Sequence, residues 1–421
     1  MIRVLDARQL GVDAVVAALA RPPAAVPPEI HRAVDGILTD VRARGDAALL
    51  DLTARFDGFT AATPAELVIT PDEFETAARQ LAPDIRAALV YAAERIERYQ
   101  AAAVPKSWRL TDEHGSVLGQ EVRPLDRVGI YVPGGRAAYP STVLMTAVPA
   151  RVAGVREIVL VTPPGPGGRV EPVVLAAARL AGVTEGYRLG GAQAVAALAY
   201  GTTTIRRVDK IVGPGNIYVA LAKARVFGEV GIDMMAGPSE VVVVADAVAD
   251  PAWVAGDMLA QAEHDPMARA LCITDATELL PRVAAALEAN GALIRVASLD
   301  DAVELANRLA PEHLELMVSV AAALIPRVRH AGAIFVGGHT PEVVGDYVAG
   351  PNHVLPTAGT ARFASPLGTE DFVKRSSVIE YSLRGLDAAA PHLRALTRIE
   401  GLAGHGRAAE LRFGSDPGRT E

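Results

Sequence analysis

A chain of 421 residues, 50% hydrophobic and 21% charged, has enough apolar mass for two core-bearing domains and is expected to fold as a soluble globule. Its net charge of −8 argues against a nucleic-acid-binding surface. Apolar runs such as Val241 to Ala245 are strand-sized, far short of the roughly 20 residues a membrane span requires. The charged start MIRVLDARQL lacks an apolar h-region, so the expected location is cytoplasmic.

Residues 1–27 read as an arm ending in the proline-rich RPPAAVPP. Apolar residues recur at three- and four-residue spacing from about Glu29 to Phe56 and from Pro71 to Ala103, which predicts helices. From Arg127 short apolar runs alternate with helical stretches. VGIYV, EIVLV, KIVG, SEVVVVAD, ALCIT, LIRVA and AIFVGG read as strands, with PVVLAAARLAG and IYVALAKARVFG among the helices between them. That alternation predicts an α/β fold with largely parallel strands. Glycine turns at 133–135, 189–193 and 213–216 fall at strand ends, where open α/β sheets bind ligands. No G-x-G-x-x-G is followed by an acidic residue about 20 positions on, so the ordinary dinucleotide fingerprint is absent. From about Pro391 the chain closes in a helical tail.

The single cysteine, Cys272 in ALCIT, can form neither an internal disulfide nor a thiolate metal site. It reads as a buried strand residue, which argues against covalent catalysis through a thiol. Gln261 and His264 in QAEHD are three apart and share a helix face. An amide oxygen and an imidazole can begin a metal site; a solvated helix end is the competing reading. Glu312 and His313 in LAPEHLEL are an acid/base pair or, equally, a helix start after Pro311 with a first-turn carboxylate. The glycine- and proline-rich GDYVAGPNHVLPT holds Asp346, a cap or a ligand, and His353, a structural or a ligating imidazole. Glu400 and His405 in the tail share no face of an ideal helix and would converge only around an irregular turn, which Gly401 and Gly404 permit. One amide, one carboxylate and two imidazoles make an N/O metal set with room for a chelating substrate, but spacing alone does not assemble them.

RVGIYVPGG, GGAQAVAALAYG, KIVGPGN, AGPSEVVVVAD, QAEHD, LAPEHLEL, GDYVAGPNHVLPT and ARFASPLGTEDFVKRSSV, in that order over residues 127–378, resemble the successive motifs of the histidinol dehydrogenase family. IEGLAGHGRAAELR resembles its C-terminal motif. The resemblance implies two incomplete Rossmann-like α/β domains with small N- and C-terminal arms in a tail-exchanged homodimer. Residues 28–129 with 241–382 would carry the zinc and acid/base residues, 130–240 the NAD contacts, and 383–421 would reach the partner subunit. It implies zinc ligands Gln261, His264, Asp346 and His405, which also meet substrate, and the catalytic acid/base pair Glu312 and His313. Ser239, His353 and Glu400 match substrate contacts, and Tyr131, Gln193 and Asn216 match NAD contacts. The implied activity is NAD- and zinc-dependent oxidation of L-histidinol through histidinal to L-histidine, the last step of histidine biosynthesis, with no nucleic-acid or membrane partner. The alternatives are a family relative acting on another zinc-chelating alcohol such as a sulfonated diol, a zinc hydrolase using Glu263 or Glu312 as base, and a silent dimeric scaffold.

Overall fold

The computed structural model describes residues 3–19, 26–134, 138–235, 237–264, 266–286 and 291–413. They divide into two compact units, one of residues up to 103 with 125–372, the other of 104–124 with the residues from 373 onward.

The first unit contains two six-stranded sheets. One has the order Val68–Ile69, Glu185–Arg188, Glu157–Thr162, Arg127–Tyr131, Lys210–Val212, Gly231–Ile232. It is parallel except at the Val68–Ile69 edge. VGIYV and IVLV are apolar runs because the helices Pro140–Ala153, Pro172–Ala181, Gly191–Tyr200 and Ile217–Val226 link the parallel strands and cover the sheet. The chain leaves Arg127–Tyr131 toward Glu157–Thr162 and later returns on its other side at Lys210–Val212. That strand is therefore the topological switch point.

The helical stretch after the arm is broken by Gly45, at φ +56, into Pro28–Arg44 and Asp46–Phe56. A reciprocal capping box between Thr70 and Glu73 starts Pro71–Gln80. Val34, Ile37, Leu38, Leu49 and Leu52 share one core with Tyr131, Val159, Leu198 and Val219. These helices thus pack with the 127–232 sheet, whereas the sequence reading grouped 28–129 with 241–382. The alanine-rich helix Gly191–Tyr200 offers a low surface against which the stripe of Pro28–Arg44 can close.

The other sheet runs Arg3–Asp6, Gly291–Arg295, Arg269–Thr274, Glu240–Ala245, His313–Met317, Ala333–Val336, all parallel. The arm therefore supplies an edge strand, and Val15 and Leu19 enter the core of this sheet. HLELM is a strand with five consecutive buried residues, not a helix start, because it lies inside a sheet covered on both faces. Cys272 is a free, buried strand residue.

The second unit is an antiparallel sheet, Val373–Glu380, Val117–Pro124, Trp108–Thr111, with the helices Leu383–Ile399 and Ala403–Glu410. Gly401, at φ +68, separates these helices. Among the described residues no helix is long and apolar enough to cross a membrane.

Candidate active site

Glu312 and His313 stand at the amino end of the strand His313–Met317, where His313 pairs in register with Val241. Glu312 Oε2 accepts the backbone N–H of Glu240 at 3.0 Å, and its carboxyl also bonds the Ser239 side chain. His313 Nδ1 lies 3.2 Å from the Glu240 carbonyl oxygen, 3.8 Å from Glu312 Oε2 and 3.7 Å from Glu342 Oε1. Both side chains are almost fully buried. Adjacent residues on a strand point to opposite faces, yet these two stay in reach because Glu312 precedes the strand and is held by the amide of Glu240.

The helix Pro251–His264 runs back against the strand Glu240–Ala245 and returns Gln261 to that strand's amino end. Gln261 is wholly buried. With its amide turned so that the nitrogen faces the cluster, Gln261 reaches Glu342 Oε1, the Glu240 carbonyl and His313 Nδ1, each at 3.2 Å. The short helix Glu342–Tyr347 adds Glu342 and Asp346, one turn apart. His353 Nδ1 meets the Asp346 carbonyl at 2.9 Å.

This is a crowd of carboxyl groups. Burial pushes Glu312 up to about 8, with the charges of Glu240 and Asp346 adding to it and the Glu240 amide opposing. Glu342 is pushed up to about 10 by burial and then by Asp346, Glu315, Glu312 and Asp257. Glu315, whose carboxyl meets that of Asp257, is held well above the usual range by burial. Its Oε1 accepts the backbone N–H of Glu342 at 3.1 Å.

His313, Glu342 and Asp346 each bring a ligand atom within 4.8 Å of the others. The donors are nitrogen and oxygen without thiolate, which suits zinc or another borderline divalent ion. Buried carboxyls raised in this way are what a bound cation would discharge, so the residues present fit a metal.

Of the sequence candidates, the structure brings together Ser239, Gln261, Glu312, His313, Asp346 and His353. The side chain of His264 lies outside the described residues; its backbone closes the helix Pro251–His264. Glu400 caps Leu383–Ile399 and His405 lies on Ala403–Glu410, both exposed and both in the second unit. A turn at Gly401 separates the two helices, while Gly404 lies within Ala403–Glu410. Sequence reasoning missed Glu342 and Glu315. The signals were present: Glu342 and Asp346 are four apart in PEVVGDY, and Glu315 is two after His313 in HLEL.

A cavity of about 1010 Å³ opens at the carboxyl end of Arg127–Tyr131, at the switch point. Tyr131, Gln193 and Asn216 all line it, together with Arg55, Asp57 and Arg169. The Tyr131 hydroxyl accepts the Gly191 N–H at 3.0 Å, and burial pushes this phenol up to about 12. Gln193 Nε2 donates to Asp57 Oδ2 at 3.3 Å, and burial pushes Asp57 up to about 6. Asn216 Oδ1 caps the helix Ile217–Val226, accepting from the amides of Tyr218 and Val219.

The segment 345–357 joins the two regions. Asn352 Nδ2 donates to the Met145 carbonyl at 2.6 Å, on the helix that follows the cavity strand, and Arg95 Nε donates to the Val348 carbonyl at 2.6 Å. The segment is thus anchored on helices of one sheet while Asp346 and His353 face the cluster of the other.

Two parallel sheets, with a cavity at the carboxyl end of one and a buried acid/base cluster at the amino end of the other, define a two-sheet α/β enzyme. The family model described as histidinol dehydrogenase matches residues 21–413. A histidinol dehydrogenase of Pseudomonas syringae pv. syringae (strain B728a) is 52% identical over 408 residues, covering 93% of this chain and 91% of the relative. One of Geobacter sulfurreducens (strain ATCC 51573 / DSM 12127 / PCA) is 50% identical over 429 residues, covering 98% of this chain and 100% of the relative. The crystal structure of the Elizabethkingia anophelis histidinol dehydrogenase superposes with a TM-score of 0.92 at 31% identity, covering 98% of each chain. The chain belongs to the histidinol dehydrogenase family, and it is an oxidoreductase.

Proposed function

We propose that this protein oxidises L-histidinol with NAD, first to histidinal and then to L-histidine, using one zinc ion per subunit, as the last step of histidine biosynthesis in the cytoplasm. The observation that carries the reading is the buried juxtaposition of Glu312 and His313 with the N/O donors of Gln261, Glu342 and Asp346.

The zinc ligands are Gln261, His264, Asp346 and His405 of the partner subunit in a homodimer. Bound there, zinc would supply a template and a Lewis acid for a chelating substrate, and NAD would accept hydride. With the Gln261 nitrogen turned toward the cluster, its two hydrogens would serve Glu342 Oε1 and the Glu240 carbonyl. The same carbonyl holds the proton of His313 on Nδ1, which leaves Nε2 as the base that takes the substrate hydroxyl proton. Glu312, once ionised, takes a proton from the water that hydrates the aldehyde; His313 then takes one from the gem-diol. Ser239 and His353, with Glu400 of the partner subunit, contact substrate, and Tyr131, Gln193 and Asn216 contact NAD. The labour divides by sheet, with NAD on residues 130–240 and zinc and acid/base chemistry on 241–382.

The test is NADH absorbance with L-histidinol, with and without a chelator. The expected result is growth that the chelator abolishes. A flat trace with histidinol but a rise with a sulfonated diol would transfer the activity to that substrate, and turnover of esters or amides without NAD would replace the reading by a hydrolase.

A further inference from the structure

The turn Gly213-Pro214-Gly215-Asn216 presents Asn216 to the cavity, and its first residue is gripped from both sides. The Gly213 N–H donates to Asp233 Oδ2 at 2.7 Å. The Gly213 carbonyl accepts from Lys223 Nζ at 2.9 Å. Lys223 and Asp233 are ion-paired with each other, with side chains only 3% and 1% exposed. Gly213 adopts φ +109, and a Cβ there would meet the Tyr131 carbonyl oxygen at 2.2 Å. The turn therefore lies directly on the backbone of another cavity residue.

Burying two charges is costly, and a buried pair is weak grounds for stability alone. This pair directs its remaining hydrogen-bonding capacity at the two peptide groups of one glycine. Lys223 belongs to the helix that Asn216 caps, and Asp233 follows the edge strand Gly231–Ile232. The turn is thus fixed at its first residue by the pair and at its last by the cap. Charge-assisted hydrogen bonds are shorter and stronger than neutral ones, and they leave these peptide planes little freedom.

We propose that the buried Lys223–Asp233 pair is the positioning device of the cofactor cleft, setting the peptide planes of Gly213 and thereby the direction from which Asn216 meets a dinucleotide. Neither residue touches the cofactor. The inference rests on the reading that this cavity takes NAD.

The test uses the full chain and measures NAD binding directly by calorimetry, beside zinc content and KM for L-histidinol at saturating NAD. Lys223→Met combined with Asp233→Asn removes both charges together and keeps an amide oxygen for the Gly213 N–H. NAD should bind about tenfold more weakly, the worth of one hydrogen bond between a misdirected Asn216 and the dinucleotide, with zinc content and KM for histidinol at parent values. A folded double variant with parental NAD affinity overturns the proposal, and so does a uniform loss in all three readouts, which is a merely structural effect. If the double variant does not melt cooperatively, Lys223→Arg serves instead. It keeps the charge but not the point geometry, and the same selective loss of NAD affinity is expected. Asn216→Ala and Gln193→Ala separate the two levels. If they weaken NAD binding while the pair variants do not, only the role of the pair fails; if they too leave it unchanged, the cleft reading fails as well.

Discussion

Glu312 is asked both to stay buried and to ionise. Burial and neighbouring carboxylates push it up to about 8, so activation of water needs a nearby cation to bring it down. Glu312→Gln should slow the aldehyde half-reaction by about 10²–10⁴-fold, the usual worth of a general base, and the alcohol half-reaction much less. Supplying alcohol and aldehyde separately checks this; equal losses would deny the division of labour with His313. The same shift sets a pH dependence of stability. A carboxyl raised in the folded state from 4.5 to about 8 contributes stability below its ordinary value, and loses it as pH climbs through the folded one. The chelator-treated chain should therefore melt at progressively lower temperature from about pH 5 to pH 8, and Glu312→Gln should flatten that slope. Cys272 is the counter-case. Burial pushes its thiol up to about 12, so it is no nucleophile at neutral pH, and Cys272→Ala should leave aldehyde oxidation intact.

At the scale of elements, the segment 345–357 ties the acid/base cluster of one sheet to helices packed on the other. Asn352→Ala would remove its donor to the Met145 carbonyl and leave that oxygen unpaired, at a cost of about 1–3 kcal/mol. Thermal melts should show the loss together with weaker zinc retention; a change in neither means the segment is held by other contacts. Elements were legible in sequence where burial makes a strand apolar on both faces, as in VGIYV, EIVLV, SEVVVVAD and ALCIT. HLELM was not, because its glutamate and histidine look like a solvated helix start until three other elements bury them. Glu342 escaped for the same reason. Two acids four apart read as an outer face, and only packing shows one of them wholly inside. WRLT and EGYR carry too little apolar pattern to announce strands. Nor does a helix stripe declare which of two sheets it will cover, hence the different grouping of the helices from Pro28 to Phe56.

For the whole molecule, the family was legible in the motifs, but the place of the tail was not. Glu400 and His405 are exposed on the helical pair after residue 382. His405→Asn should lower zinc content, and unchanged zinc by elemental analysis removes His405 from the ligand set. Truncation after Ile399 should do the same while the first unit keeps its melting transition, since its two sheets draw no strand from the tail.

The pairing of Arg3–Asp6 with Gly291–Arg295 bears on how the chain is made. At about 5–20 residues per second of synthesis, the sheet built from residues 68–232 can be assembled on the ribosome while the opening strand still waits for its neighbour to be translated. During that interval Val4 and Leu5 have no partner, so the first residues should be protease-sensitive in nascent chains released before residue 291 and protected in chains that extend past 295. Substitutions that weaken the strand Arg3–Asp6 should then slow late maturation of the second sheet and leave the cavity beside Arg127–Tyr131, lined by residues made earlier, untouched.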